Sequence, residues 1–328
     1  MNEKSYKKID ALGIGITSLC NLNCPHCYSR KLIQKSISLQ ELESIIKNFP
    51  NIKKVNFGTG ESVLNKDFTK IVDFLSEKNI EIALTTNGFS LETLSENYLK
   101  KFKDIDVSLD FPNSALHNEW RGKHDAFDMA IRAIEKCKEI GLTVSIAMCL
   151  MNNNYKHLPE FRLLLDKYDI PLRINLYKPV DTDKYLMNYS EFWESIKLLS
   201  ENFELVSNSE PLLTLVAPEK LKGSPCGNSA RLHPDGKITP CVYLSGEFSD
   251  FEKFKKMKLQ ILEKCSNCSV ANYCRGGCLG RRLLTFGSPE PDQYCPIINK
   301  KEIPEIKFIR AKSKDFIHSS YLCTIIVK

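Results

Sequence analysis

The stretch Cys20-Asn21-Leu22-Asn23-Cys24-Pro25-His26-Cys27-Tyr28, just after the apolar run Leu12-Gly13-Ile14-Gly15-Ile16-Thr17, decides how this chain is read. Its spacing is C-x3-C-x2-C. Iron–sulfur cubes are held by cysteine thiolates, usually four of them. Three thiolates in one loop hold three corners and leave the fourth iron open to a substrate or cosubstrate. An open iron implies chemistry as well as electron storage. The competing reading is a zinc knuckle, with His26 as a fourth ligand beside the thiolates.

The rest of the cysteine usage agrees. Of 13 cysteines in 328 residues, three lie in this loop and seven lie between Cys226 and Cys295. The N-terminus lacks the apolar core of a signal peptide, so thiols clustered in this way read as ligand sets rather than disulfides. No apolar run reaches the ~18 residues of a membrane helix. The net charge of +6 is spread along Lys-rich helices, which reads as solvated helix faces rather than a nucleic-acid surface. The length suits a barrel-sized domain plus a smaller one, because single cores stop growing near ~250–300 residues.

Between residues 10 and 205, β-branched runs alternate with amphipathic stretches. Strands are expected at Leu12–Thr17, Lys54–Thr59, Glu81–Thr86, Ile105–Asp110, Thr143–Leu150 and Leu172–Tyr177. Helices are expected at Leu39–Asn48, Asp67–Lys78, Leu91–Lys101, Ala126–Ile140, Tyr155–Tyr168 and Ser190–Asn202, the first opened by a capping box of Ser38 and Glu41. Six βα units in a row predict a parallel sheet with right-handed crossovers, an α/β partial (β/α)6 barrel open at one side. In such folds the functional loops follow the strands. Gly58-Thr59-Gly60-Glu61-Ser62, Thr85-Thr86-Asn87-Gly88 and Ser108-Leu109-Asp110 all fall there. Alternation on the sixth strand puts Arg173, Asn175 and Tyr177 on one face, which either lines a site or is an exposed edge face.

After residue 205 the helical periodicity fades. The cysteines run Cys226, Cys241, Cys265, Cys268, Cys274, Cys278 and Cys295, with Gly236 five positions before Cys241. A zinc ribbon of Cys265 to Cys278 leaves Cys226, Cys241 and Cys295 without partners.

The three-cysteine loop with the Gly60–Glu61 turn resembles the radical SAM superfamily over roughly residues 10–205. The seven later cysteines resemble the SPASM extension over roughly 226–295. The resemblance implies that Cys20, Cys24 and Cys27 hold a [4Fe–4S] cluster whose open iron binds S-adenosylmethionine. Gly58, Gly60 and Glu61 then correspond to the motif that receives the cosubstrate's amino group, with Gly-Thr-Gly in place of Gly-Gly and Ser62 in place of the frequent Pro. Thr86, Asn87, Ser108 and Asp110 would lie near its carboxylate and ribose, and Arg121 would pair with that carboxylate. Two auxiliary clusters are implied, one on Cys226, Cys241 and Cys278, the other on Cys265, Cys268, Cys274 and Cys295. The first set is one ligand short, so its cluster either has an open iron or is closed by a distant residue such as Cys323. Cys149 and Tyr177 are the candidate catalytic residues.

The implied domains are 1–205 for the partial barrel, 206–299 for the small cysteine-rich α+β domain, and 300–328 for a tail with strands at Ile306–Ile309 and Tyr321–Val327. The implied reaction is reductive cleavage of S-adenosylmethionine to a 5′-deoxyadenosyl radical that removes a hydrogen atom from a substrate. Many SPASM relatives modify peptides or proteins, so crosslinking or oxidation of a ribosomally made peptide leads. The first strand begins near residue 12, which leaves no room before it for a winged-helix peptide-recognition domain. A separate leader-peptide-binding protein, a flavodoxin- or ferredoxin-type reductant and an anaerobic cytoplasm are expected, with no nucleic acid and no membrane. A sulfatase-maturing type is disfavoured by Val242, where those relatives place an Asp. A sugar or cyclitol dehydrogenase and a pure electron-transfer protein compete with the peptide-modifying reading.

Overall fold

The computed structural model describes residues 6–216, 229–244, 246–287, 290–312 and 324–328. They divide by packing into two units, one built on 6–147 and 229–242, the other on 148–216, 243–312 and 324–328. Cys226, Cys323 and the start of the expected strand Tyr321–Val327 lie outside the described residues.

The first unit is a parallel sheet. β1 (Ala11–Ile14), β2 (Lys54–Phe57), β3 (Glu81–Thr86), β4 (Asp104–Ser108) and β5 (Val144–Leu150, which runs on into the second unit) pair in chain order. Buried β-branched and leucine residues hold it, among them Leu12, Ile14, Val55, Ile82, Leu84 and Ile105, each at most 1% exposed. Each such side chain contributes about 1.5–3 kcal/mol. On the other flank of β1 lie β8 (Ser229–Leu232), parallel to it, and β9 (Ile238–Thr239), antiparallel to β8. Gly13 of β1 has no Cβ because Arg231 of β8 lies across it; a methyl there would sit 2.6 Å from the Arg231 Cδ.

Helical segments follow the strands. The capping box at Ser38 and Glu41 opens Leu39–Ile46 as expected. The expected helix Leu91–Lys101 is instead two short ones, Phe89–Thr93 and Glu96–Leu99, because Leu94 is extended and Ser95 starts a new turn. Ser114–Arg121 is a helix that the sequence pattern did not single out.

In the second unit β10 (Thr324–Val327) lies between β6 (Leu172–Leu176) and β7 (Leu205–Asn208), antiparallel to both. The tail strand therefore completes the free edges of β6 and β7. The expected strand Ile306–Ile309 is not formed; that stretch is irregular and ends in a single bridge from Arg310 to Leu205. The helices Tyr189–Asn202, Phe251–Leu259 and Leu279–Phe286 belong to the same unit as most of the cysteine array.

Candidate functional site

The loop after β1 is closed at its base. Thr17 bridges Ser36, Asn65 Nδ2 donates to the carbonyls of Ile16 (2.7 Å) and Ile37 (2.8 Å), and the Ser18 hydroxyl donates to Ile33. Cys20 is exposed, Cys24 buried and Cys27 half-buried. Donors converge on the three sulfurs. The Leu22 N–H (3.4 Å) and Asn87 Nδ2 (3.7 Å) reach Cys20, Arg121 Nη1 reaches Cys24 (3.5 Å), and the Ser29 hydroxyl lies 2.9 Å from the Cys27 sulfur. Burial raises the Cys24 thiol, and coordination to a metal deprotonates such a thiol outright. The donor set fits an iron–sulfur cluster, whose sulfurs are tuned by such hydrogen bonds.

Two neighbouring loops are tied to this one. After β2, the Glu61 N–H donates to the Leu19 carbonyl (2.7 Å), and the Tyr28 hydroxyl donates to the Gly58 carbonyl (3.1 Å) and shares a hydrogen bond with Thr59. Gly60 has φ +63°, and a Cβ there would press on the Leu19 carbonyl and stand 2.7 Å from that of Thr17. After β3, Thr86 Oγ1 (2.5 Å), the Asn87 N–H (3.0 Å), the Ser90 N–H (3.1 Å) and the Ser90 hydroxyl all donate to the Glu61 carboxylate, which is 1% exposed. Asn87 Nδ2 also donates to Asn21 Oδ1 (2.8 Å). Glu61 is thus a clamp between loops, its carboxylate engaged with protein donors. Ser90 had no signal in the sequence beyond being a hydroxyl opening a short helix.

After β4, Asp110 and Arg121 meet. Arg121 Nη2 lies 2.6 Å from Asp110 Oδ2, both side chains buried, and the His26 Nε2 approaches the same oxygen at 3.7 Å. The His26 ring stacks on Trp120 with centroids 5.2 Å apart. Burial opposes the charge on Arg121, but Asp110 and Cys24 outweigh it and hold the guanidinium well above its ordinary range. Ser108 ends β4, half-buried, in register with Ala147. Cys137 is a core residue, 0% exposed, as its helix position predicts.

The second unit holds most of the other described thiols. Cys265, Cys268, Cys274 and Cys295 line one otherwise apolar hollow with Leu215 and Val270. Burial raises the thiols of Cys265, Cys274 and Cys295. Four thiols facing one apolar hollow fit a cube, which spaces its ligands more widely than a single ion does. Among the described residues no three His, Cys, Asp or Glu side chains are grouped to hold a single ion. Cys278 is buried in this unit, whereas Cys241 is half-buried in the first, its carbonyl accepting from Thr239 Oγ1 (3.0 Å). The half-buried Cys149 accepts from Asn154 Nδ2 at its carbonyl (2.8 Å), and the Tyr177 hydroxyl donates to the Thr182 carbonyl (2.8 Å). Burial, with Cys149 next, pushes the Tyr177 phenol up to about 12.

Residues 14–165 match the model of the Radical SAM superfamily. The chain carries a radical SAM domain. It is 26% identical over 322 residues to the mycofactocin maturase MftC of Mycolicibacterium smegmatis, across 84% of this chain and 80% of that protein. It is 23% identical over 248 residues to the antilisterial bacteriocin subtilosin biosynthesis protein AlbA of Bacillus subtilis, across 71% of this chain and 55% of that one. The structure of native anSMEcpe with bound AdoMet superposes with a TM-score of 0.70 at 19% identity, over 88% of this chain and 95% of that chain. Streptococcus suis SuiB bound to precursor peptide SuiA gives 0.66 at 17%, over 88% and 76%. These likenesses show the fold, an α/β partial (β/α)6 barrel. The radical SAM chain is an enzyme, with a [4Fe–4S] cluster and S-adenosylmethionine as cofactors. Among the described residues no helix is long and apolar enough to cross a membrane.

Proposed function

We propose that this radical SAM enzyme matures a ribosomally made peptide by crosslinking or oxidising it. The observation that carries the reading is the convergence of Leu22, Asn87, Arg121 and Ser29 on the sulfurs of one three-cysteine loop. Likeness to a maturase over most of both chains supports the peptide as substrate. Cys20, Cys24 and Cys27 hold the reactive cluster, with Gly58, Gly60, Glu61, Thr86, Asn87, Ser108, Asp110 and Arg121 around S-adenosylmethionine. When bound, the cluster and S-adenosylmethionine supply a carbon radical able to remove an unactivated hydrogen atom. The chain's own part is to hold this loop. Glu61 clamps three loops together, and Arg121 ties Cys24 to Asp110.

In this reading residues 1–205 form the radical SAM domain, 206–299 a SPASM domain and 300–328 the tail. Cys226, Cys241 and Cys278 hold one auxiliary cluster, and Cys265, Cys268, Cys274 and Cys295 the other; the shared cavity supports the second set. Cys149 and Tyr177, neighbours at the ends of β5 and β6, are the candidates to act on the substrate. A flavodoxin- or ferredoxin-type protein supplies the electron, a separate protein presents the leader peptide, and the setting is the cytoplasm.

The test is 5′-deoxyadenosine formation by reduced, anaerobically reconstituted protein, with and without the host's low-molecular-weight extract. Stimulation that disappears when the extract is digested with a nonspecific protease supports a peptide substrate. Stimulation that survives digestion overturns it in favour of a small molecule.

A further inference from the structure

Five hydrogen bonds meet on one guanidinium behind the cysteine array. Arg281, on the helix Leu279–Phe286, is 0% exposed, as are Glu210 and Asp292. Its Nη2 donates to Glu210 Oε1 (2.8 Å) and Asp292 Oδ2 (2.5 Å), and its Nη1 to Glu210 Oε2 (3.3 Å). Its Nε donates to both Asp292 oxygens, at 3.2 and 2.9 Å. The two carboxylates share this one cation, and Arg282, 2% exposed, bears electrostatically on Asp292 as well. Burying ions is costly, and apolar side chains of similar volume often hold such a space at least as stably. Stability alone does not account for the network.

What the network grips is ligand-bearing chain. Asp292 Oδ2 accepts from the Cys278 N–H (3.3 Å), the Asp292 carbonyl accepts from the Cys295 N–H (2.9 Å), and the Asp292 N–H donates to the Gly276 carbonyl (2.8 Å). Gly277, at φ +98°, is glycine of necessity, since a Cβ would stand 2.6 Å from Asp292 Oδ2. On the other side the guanidinium lies over Tyr294 (5.1 Å) and Phe192 (5.9 Å), whose rings stack 4.3 Å apart. Trp193 Nε1 donates to the Tyr294 carbonyl (2.9 Å), and the Tyr294 hydroxyl to that of Met187 (2.8 Å). The helix Tyr189–Asn202 is thus the fixed base of the assembly.

We propose that Asp292, backed by Arg281 and Glu210, is a positioning residue for the ligand-bearing turns at Cys278 and Cys295, and that its own negative charge lowers the reduction potential of the clusters they hold. The inference rests on the ligand assignment above, with Cys278 in one set and Cys295 in the other. A negative charge fixed beside a cluster in low dielectric opposes the arrival of an electron.

The test compares anaerobically reconstituted wild type with Asp292→Asn, Glu210→Gln and Asp292→Ala. Asp292→Asn keeps the shape and an acceptor for the Cys278 N–H. It should hold wild-type iron and sulfide while an EPR-monitored titration moves the auxiliary signals to higher potential. Glu210→Gln should move them the same way by less, because Glu210 meets Asp292 only through Arg281. Asp292→Ala should lose auxiliary iron. Wild-type iron and wild-type potentials in all three overturn the proposal. If wild type itself carries iron only on the three-cysteine loop, the ligand assignment has failed. Amide exchange in the apo protein then decides the positioning role alone: the Cys278 amide exchanges faster in Asp292→Ala if the Asp292 carboxylate holds it, and at the wild-type rate if it does not.

Discussion

Replacing Glu61 separates a clamp between loops from a direct ligand contact. In Glu61→Ala the N–H groups of Asn87 and Ser90 lose their shared acceptor, and neither can turn to find another. The hydroxyls of Thr86 and Ser90 can rotate, so most of the loss falls on the two amides. An unsatisfied buried donor costs about 1–3 kcal/mol, which puts the variant at about 2–6 kcal/mol. That is a large share of the ~5–15 kcal/mol of a typical domain. Glu61→Gln keeps one acceptor oxygen but turns an NH2 toward donors, for about half that cost. Urea unfolding of the anaerobic apo protein measures both, and amide exchange should locate the loosening at 86–90. If both variants unfold like wild type and lose only S-adenosylmethionine binding, the clamp argument is refuted and the carboxylate is a ligand contact.

Three further outcomes are expected. Gly60→Ala forces a side chain into a left-handed residue against the carbonyls of Leu19 and Thr17. It should cost about 1–3 kcal/mol and reduce the iron held by the Cys20 loop, read by iron analysis. Gly13→Ala must displace the buried Arg231 side chain, and a thermal melt should show a loss of about 1–3 kcal/mol typical of overpacking. His117 accepts the Asp110 N–H at Nδ1 (3.2 Å), and burial, with Arg121 next, pushes its imidazolium down to about 3. Protonation therefore favours the unfolded chain, where the pKa is about 6.5. The stability His117 contributes is complete above about pH 6.5 and declines toward about 3, by up to ~1.4 kcal/mol per unit. His117→Asn, which keeps an acceptor, should flatten that acid limb in urea titrations; an unchanged slope would contradict the assignment.

Much of this was legible in the chain. The strands at Lys54, Glu81 and Thr143 start within a residue of where the β-branched runs place them, because buried parallel strands write themselves as apolar runs. β8 was not legible: Ser229-Ala230-Arg231-Leu232 has no strand signature and becomes one only by pairing with β1. Tyr155–Tyr168 reads as one helix but begins as a 3-10 turn through Pro159, which lacks the N–H a helix interior needs. At the site, the loops were found by their placement after strands. Asp110 and Arg121 pair with each other beside the three-cysteine loop. Their spacing of eleven residues carries no periodic signal, so only the fold could bring them together.

The measurement that tests the central claim most directly is iron per chain together with 5′-deoxyadenosine formation after dithionite reduction. It compares reconstituted wild type with the triple variant Cys20→Ala/Cys24→Ala/Cys27→Ala. Three four-iron clusters predict about twelve irons and cleavage in wild type, and about eight irons without cleavage in the variant. Cleavage that persists without the three thiols, or zinc in place of iron, would contradict the account.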